Sequence, residues 1–167
     1  MNRTLQLKRR VTKENLPAIP KLLVSPEGPD CIFLIDLGEG IPEPVLGHFD
    51  ENRAEDMFRR INAVRIRLGL PSLKQLRRYQ NFSAVRALEA SYFFEHERPN
   101  GIPFSQGENL AMCRGISSNR SVCEGWCGSP DHFANITAPE YRYTGISCFL
   151  WKEHRGEYLE YWAQIFG

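Results

Sequence analysis

Residues 144–167 read TGISCFLWKEHRGEYLEYWAQIFG, and the period of this stretch decides the fold class. Ile146, Cys148 and Leu150 alternate with Ser147, Phe149 and Trp151, and Leu159, Tyr161, Ala163 and Ile165 carry the same period of two almost to the C-terminus. A repeat of two places successive side chains on opposite faces of a strand. His154, Arg155 and Gly156 between the two runs supply turn chemistry. The pattern predicts a C-terminal antiparallel β-hairpin.

Working outward, the period changes to that of a helix. Met57, Ile61, Val64 and Leu68 recur at four, three and four, with Asp50 or Asn52 available as N-cap and Gly69 as the stop. A second helix is expected from Asn81 to Glu95, with Phe82, Val85, Leu88 and Tyr92 on one stripe, delivering His96 at its C-terminal end. From Arg98 to Gly115 the chain reads as glycine-rich and irregular, and a short third helix is expected near 118–127. Ser129 followed by Pro130 fits an N-cap and first helical position, with Gly128 closing the helix before it. Helices first and a hairpin last argue for an α+β fold, with helices packed on a small sheet.

Residues 1–50 hold Pro17, Pro20, Pro26, Pro29, Pro42 and Pro44, six of the eleven prolines, which excludes long helices there. Only CIFLIDL (31–37) reads as a strand. The expected organisation is an N-terminal extension over 1–50 with one short strand, followed by one domain over 51–167. At 167 residues the chain suits a single domain with a sizeable core.

Composition narrows the function classes. Charged residues make up 25% and apolar ones 42%, and the formal net charge is +1, which gives no support for nucleic-acid binding. No apolar run is long enough to span a membrane. The N-terminus has basic residues but no apolar h-region, so the sequence reads as cytoplasmic or as already lacking a signal peptide. Cys31, Cys113, Cys123, Cys127 and Cys148 are five, too few and too odd in number for a disulfide scaffold. Asn2, Asn81, Asn119 and Asn135 match N-x-[ST], a pattern that arises readily by chance.

The residues able to carry chemistry are few. His132 falls in the first turn of the helix that follows Ser129, where the helix dipole disfavours imidazolium and favours a neutral ring able to accept a metal or a proton. Cys123, Cys127 and His132 spell C-x3-C-x4-H, readable as three zinc ligands. The competing reading, which we favour, puts Cys123 and Cys127 with Val122 and Trp126 on the apolar stripe of a short helix. Glu108 follows a glycine in a segment expected to be irregular, as a carboxylate displayed by backbone geometry does. Glu124 fits a local capping box with Ser121. Trp126, Trp151, Trp162, Phe149 and Phe166 lie on periodic segments and are expected in the core.

Six stretches occur in order: NAVRIRLGLPSL (62–73), HERPNG (96–101), GENLA (107–111), VCEGWCGSPDHFANI (122–136), TGIS (144–147) and YWAQIFG (161–167). Together they resemble the bacterial, SCP-like branch of the CAP superfamily, the cysteine-rich secretory, antigen 5 and pathogenesis-related 1 proteins. The resemblance covers roughly 51–167. It implies a three-layer α-β-α sandwich of the CAP/SCP type with a surface cleft, lined in many members by two histidines and two glutamates whose histidines hold a divalent ion, often zinc. By matching motif, His96 is the first histidine, Glu108 the first glutamate and His132 the second histidine. Eukaryotic members place the other glutamate three residues after the tryptophan, where this chain has Ser129; Glu124 precedes Trp126 instead. Bacterial relatives carry aliphatic residues or methionine at the positions of Cys123 and Cys127.

The reading that follows is a non-enzymatic binding or interaction module of an exported or cell-envelope protein, with His96 and His132 as a metal-competent pair, zinc first among the ions. Its partner would be a lipid, peptide, glycan or protein, with no nucleic acid and no transmembrane segment. The alternative is a metal-dependent hydrolase, peptidase or esterase, with Glu108 as catalytic general base. Glu108, Glu124 and Ser129 are the expected cleft-lining residues.

Overall fold

A computed structural model describes residues 23–24, 28–36, 42–104, 107–153 and 155–167. Within these lie strands β1 (Leu23–Val24), β2 (Cys31–Asp36) and β3 (Pro42–Phe49), helix α1 (Glu51–Arg67), β4 (Lys74–Gln75), α2 (Arg77–Tyr92), β5 (Gly107–Arg114), α3 (Asn119–Gly128), α4 (Pro130–Thr137), β6 (Tyr143–Lys152) and β7 (Tyr158–Phe166). The strands form one sheet in the order β1-β2-β3-β6-β7-β5, antiparallel throughout, and the two-residue β4 pairs with β6 in parallel.

The predicted hairpin is β6–β7, with Cys148 opposite Trp162 and Phe149 opposite Tyr161. Its alternation separates two buried faces. Ile146, Cys148, Leu150, Trp162 and Phe166 meet α1, α3 and α4 through Met57, Ile61, Val122, Trp126 and Ile136. Phe149, Tyr161 and Ala163 meet α2 through Ala87, Leu88 and Ala90. The molecule is therefore a three-layer α-β-α sandwich, with α2 alone on one face among the described residues. Both faces of the hairpin exclude water, so its polar residues Thr144, Ser147, Glu160 and Gln164 are buried too. Each has a partner: Glu160, for example, pairs with Arg53 at 2.9 Å and accepts from Ser117 N at 2.8 Å.

Helix α1 forms where its period places it, with Asp50 as N-cap accepting from Arg53 N at 3.0 Å. Helix α2 differs from expectation: it spans Arg77–Tyr92 rather than 81–95. All of 82–90 is buried, so the helix has no solvated stripe for a period to reveal. His96 consequently lies beyond the helix, in an irregular connection. Close packing of α2 explains one glycine of the TGIS motif, because a side chain at Gly145 would overlap the backbone of Tyr79 and Gln80.

The N-terminal extension holds more than the one strand its sequence predicts, since β1 and β3 join β2. Strand β3 (PEPVLGHF) escapes recognition through Pro42 and Pro44, which read as strand breakers. They are accommodated because β6 meets β3 only at Gly47–Phe49, leaving the 42–46 stretch paired with β2 alone. Phe33, Ile35 and Val45 from this extension join the core beneath α2. The extension's residues 1–22 lie outside the described residues, as do Leu37 of the predicted strand and His154 of the predicted turn.

Candidate functional site

The segment around Glu108 is a second correction: it is the regular strand β5, at the sheet edge and paired only with β7 among the described residues, where the sequence predicts an irregular loop. Glycine at 107 suggests a loop, but its place in the strand is set by packing, since a side chain there would overlap the Tyr141 ring. Two outward carbonyls of this edge are covered by side chains: Asn135 Nδ2 donates to Glu108 O at 3.1 Å and Trp126 Nε1 to Leu110 O at 3.2 Å. Those caps blunt the edge against further pairing and fix α3 and α4 to it.

Around the N-terminal end of β5 lies a cavity of about 380 Å³ whose walls include His96, Arg98, Glu108, Asp131, His132 and Asn135. His96 enters from the connection after α2, and His132 from the first turn of α4 on the other side of the sheet. Their ring centres stand 6.4 Å apart with the planes at 53°. His96 Nδ1 lies 3.1 Å from Glu108 Oε1. The His96 side chain is 65% exposed and that of Glu108 16%. Burial pushes the His132 imidazole below its ordinary pKa, the neighbouring His96 adds to that, and Asp131 opposes it. A neutral ring at His132 is the physical consequence.

The carboxylate is held from behind. Arg86, fully buried on α2, donates from Nε to Glu108 Oε2 at 2.6 Å and from Nη2 to Glu108 Oε1 at 3.0 Å. Its Nη1 donates to Glu89 at 2.7 Å, and Glu89 in turn accepts two bonds from Arg98 at 2.8 and 3.1 Å. Arg86 Nη2 also reaches Glu95 O at 2.7 Å, fixing the chain that carries His96. Arg98 then lies over the Phe104 ring, 3.6 Å from its centre. An unbroken sequence of charge-assisted bonds thus runs Arg98, Glu89, Arg86, Glu108, His96.

Sequence reasoning missed Arg86, Glu89 and Arg98. The available signal was the charged pair at i, i+3 within FSAVRALEA, since charged residues in a helix buried all round must pair internally.

His96, Glu108 and His132 are brought together; Glu124 and Ser129 do not line their cavity. Glu124 is exposed and pairs with Arg120 at 2.7 Å. The capping box expected of it is displaced, because α3 begins one turn earlier with Ser118 as N-cap, accepting from Ser121 N at 3.1 Å. Ser129 is the residue before α4, but its side chain makes no cap bond, and it faces a neighbouring groove along β5 that shares His132. Cys123 sits in the core and its thiol is pushed up to about 11, by burial first and by Cys127 next. Among the described residues no three His, Cys, Asp or Glu side chains are grouped closely enough to hold a metal ion.

The three-layer α-β-α sandwich of the described residues is a fold shared with known proteins. The model of the cysteine-rich secretory protein family, CAP, matches residues 58–166, and the chain belongs to that family. Among solved structures it is similar to an outer surface protein from Borrelia burgdorferi, with 16% identity, a TM-score of 0.54, and coverage of 72% of this chain and 97% of that one. It is also similar to a cysteine-rich secretory protein from Staphylococcus aureus, with 14% identity, a TM-score of 0.51, and coverage of 93% of this chain and 61% of the longer one. At these identities the likeness is one of fold. No curated protein matches the chain.

Proposed function

We propose that this chain is a ligand-binding CAP module of an exported or envelope protein, whose cleft holds a small polar ligand and whose His96 and His132 take one divalent ion, zinc foremost. The observation that carries this reading is the pair of imidazoles over one cavity. A metal–nitrogen bond of about 2.1 Å puts an ion about 3.2 Å from each ring centre, so two rings sharing one tetrahedral ion stand about 5.3 Å apart. The observed separation of 6.4 Å is about 1 Å wider, a difference that rotation of the exposed His96 side chain would close. Glu108 accepting from His96 Nδ1 leaves Nε2 free to ligate, the usual arrangement of a carboxylate behind a metal-bound histidine. When bound, the ion would supply an open coordination position that polarises a ligand oxygen.

Asp131 and Asn135 in the wall offer hydrogen bonds to a peptide or glycan, beside an apolar contribution from Pro103, Phe104 and Ile165. The outer surface and secretory descriptions of the two similar structures support an exported setting, and no helix among the described residues is long and apolar enough to cross a membrane. Hydrolysis with Glu108 as general base draws no support from the geometry, since both of its oxygens accept from the Arg86 guanidinium. Calorimetric titration of zinc tests the metal assignment. One ion should bind per chain and the heat should vanish in the His96→Ala/His132→Ala variant; undiminished heat in that variant would refute it.

A further inference from the structure

Among the described residues the sheet has a gap beside β6. Strand β3 pairs with Phe149–Trp151 and β4 with Tyr143–Thr144, so among the described residues Gly145–Cys148 between them have a strand partner only on the β7 side. The backbone groups left over are satisfied by other means. Gln80 Nε2 donates to Ile146 O at 2.6 Å while its Oε1 accepts from Ile146 N at 3.2 Å, and Asp50 N donates to Cys148 O at 3.0 Å. Over this gap opens a cavity of about 460 Å³, roofed by the N-terminal ends of α1 and α2 and by β2 and β3. It is separate from the His96/His132 cleft and shares no residue with it.

Asn81 stands in its wall, but the floor along β6 makes no polar demand. Ser147 Oγ is engaged by Ser83 Oγ at 2.8 Å, Gln80 is used at both ends, and Cys148 is a buried neutral thiol. One wall is aromatic: the Phe33 and Phe49 rings meet edge to face at 5.4 Å. The mouth is acidic, with Asp50, Glu51 and Glu55, and no Lys, Arg or His lines any part of the cavity among the described residues. Asp50 is committed to its cap bond and Glu55 accepts from Gln75 at 3.1 Å. Glu51 has no hydrogen-bond or ion-pair partner among the described residues.

We propose that this cavity is a second ligand site, for a small organic cation: an ammonium group on an apolar body. The body would lie against Phe33 and Phe49, over a floor that offers no free hydrogen bonds, and the charge among the three carboxylates at the mouth. An anion meets like charge there, and a polar neutral molecule gains nothing from the floor to offset its lost hydration. The volume is that of ordinary small-molecule sites. Phe33 and Phe49 on β2 and β3, and Asp50, Glu51, Ala54 and Glu55 at the start of α1, all precede the family-matched 58–166, so the aromatic wall and the acidic mouth both lie outside the matched segment.

The test uses 2-phenylethylamine, with 2-phenylethanol as its neutral and phenylacetate as its anionic counterpart, followed by amide chemical shifts of the full chain. The amine should perturb Asp50–Glu55 and Ile146–Cys148 and bind at least about tenfold more tightly than the alcohol, the ratio one favourable charge contact of modest strength supplies. Glu51→Gln/Glu55→Gln, two exposed positions, should weaken the amine several-fold and leave the alcohol unchanged, while His96→Ala/His132→Ala should leave the amine unchanged. Equal affinity for amine and alcohol, tighter binding of phenylacetate, no saturable binding of the amine, or shifts confined to the His96/His132 cleft would each overturn the proposal.

Discussion

Arg86 grips Glu108 at two points, Nε to Oε2 at 2.6 Å and Nη2 to Oε1 at 3.0 Å, and this fork makes the carboxylate a support for His96. A planar guanidinium offers donors in a fixed geometry that matches both oxygens. Truncating Arg86 to Met leaves Glu89 and Glu108 without their shared cation in a mostly buried setting. The expected loss is about 3–5 kcal/mol of unfolding free energy, measured by urea denaturation. The double variant Arg86→Met/Glu108→Gln should recover part of it, because the stranded charge at 108 is gone. Equal stabilities of single and double variants would mean that the fork does not couple the two residues.

The same geometry fixes a pH response. Burial and His96 hold the His132 pKa below its ordinary value. The unfolded chain therefore binds a proton at a pH where the folded chain does not, and stability rises with pH through that interval. Stability should fall as the pH drops below about 6.5, the ordinary histidine value, until His132 itself protonates. His132→Gln should flatten the curve over that interval. A slope that the substitution leaves untouched would assign the titration to another group.

A second acid-sensitive point clasps the N-terminal strands to the hairpin. Asp30 is buried just before β2, with His48 Nδ1 at 2.7 Å, Lys152 Nζ donating at 2.9 Å, and Tyr158 Oη donating at 3.0 and 3.2 Å to its two oxygens. Burial alone would raise its pKa, but the bonds from Lys152, His48 and Tyr158 outweigh it and hold the carboxyl below the usual range. The sign is opposite to that of a raised group: the stabilisation is complete above the unfolded value near 3.8 and is lost as pH falls through the lower folded value. Asp30→Asn should cost about 2 kcal/mol at neutral pH and should abolish the part of acid unfolding that sets in below about pH 4. Hydrogen exchange should then show β2 and β3 opening before the rest of the sheet.

The layers and the cleft histidines are legible in the sequence to different degrees, for physical reasons. Helix α1 has a clean period of three to four because one face is buried and the other solvated, whereas the β6–β7 hairpin, buried on both faces, is legible as two β-prone apolar runs either side of a turn. Helix α2 is buried along most of its length, so burial erases the contrast that would mark its ends and displaces the expected position of His96. Strand β3 is hidden by Pro42 and Pro44, whose missing donors matter little where β6 does not reach. His96, Glu108 and His132 are recognisable as motif positions, and the structure gathers them. Nothing in a local pattern announces that Arg86 reaches across the layer to Glu108, since that contact depends on how α2 and β5 pack.

Arg65 presents the strongest case of a charge used as a structural tie. It is fully buried on α1, and its guanidinium donates to four carbonyls: Pro71 O at 2.8 Å, Ile136 O at 2.7 Å, Ala138 O at 3.0 Å and Tyr141 O at 3.3 Å. Two of these close the C-terminal end of α4, where carbonyls lack helical partners and the dipole favours a cation. Holding α4 here also sets the height of His132 at its other end, within the same eight-residue helix. Arg65→Met keeps the length of the side chain but leaves the carbonyls unmet, and each unsatisfied buried group costs about 1–3 kcal/mol. Loss of several kcal/mol in thermal or urea melts is expected, together with a weaker zinc heat from a displaced His132. Arg65→Lys can meet at most three of the four carbonyls and should fall between the two. A methionine variant as stable as the parent chain would show that water takes over the carbonyls and that α4 does not need the tie.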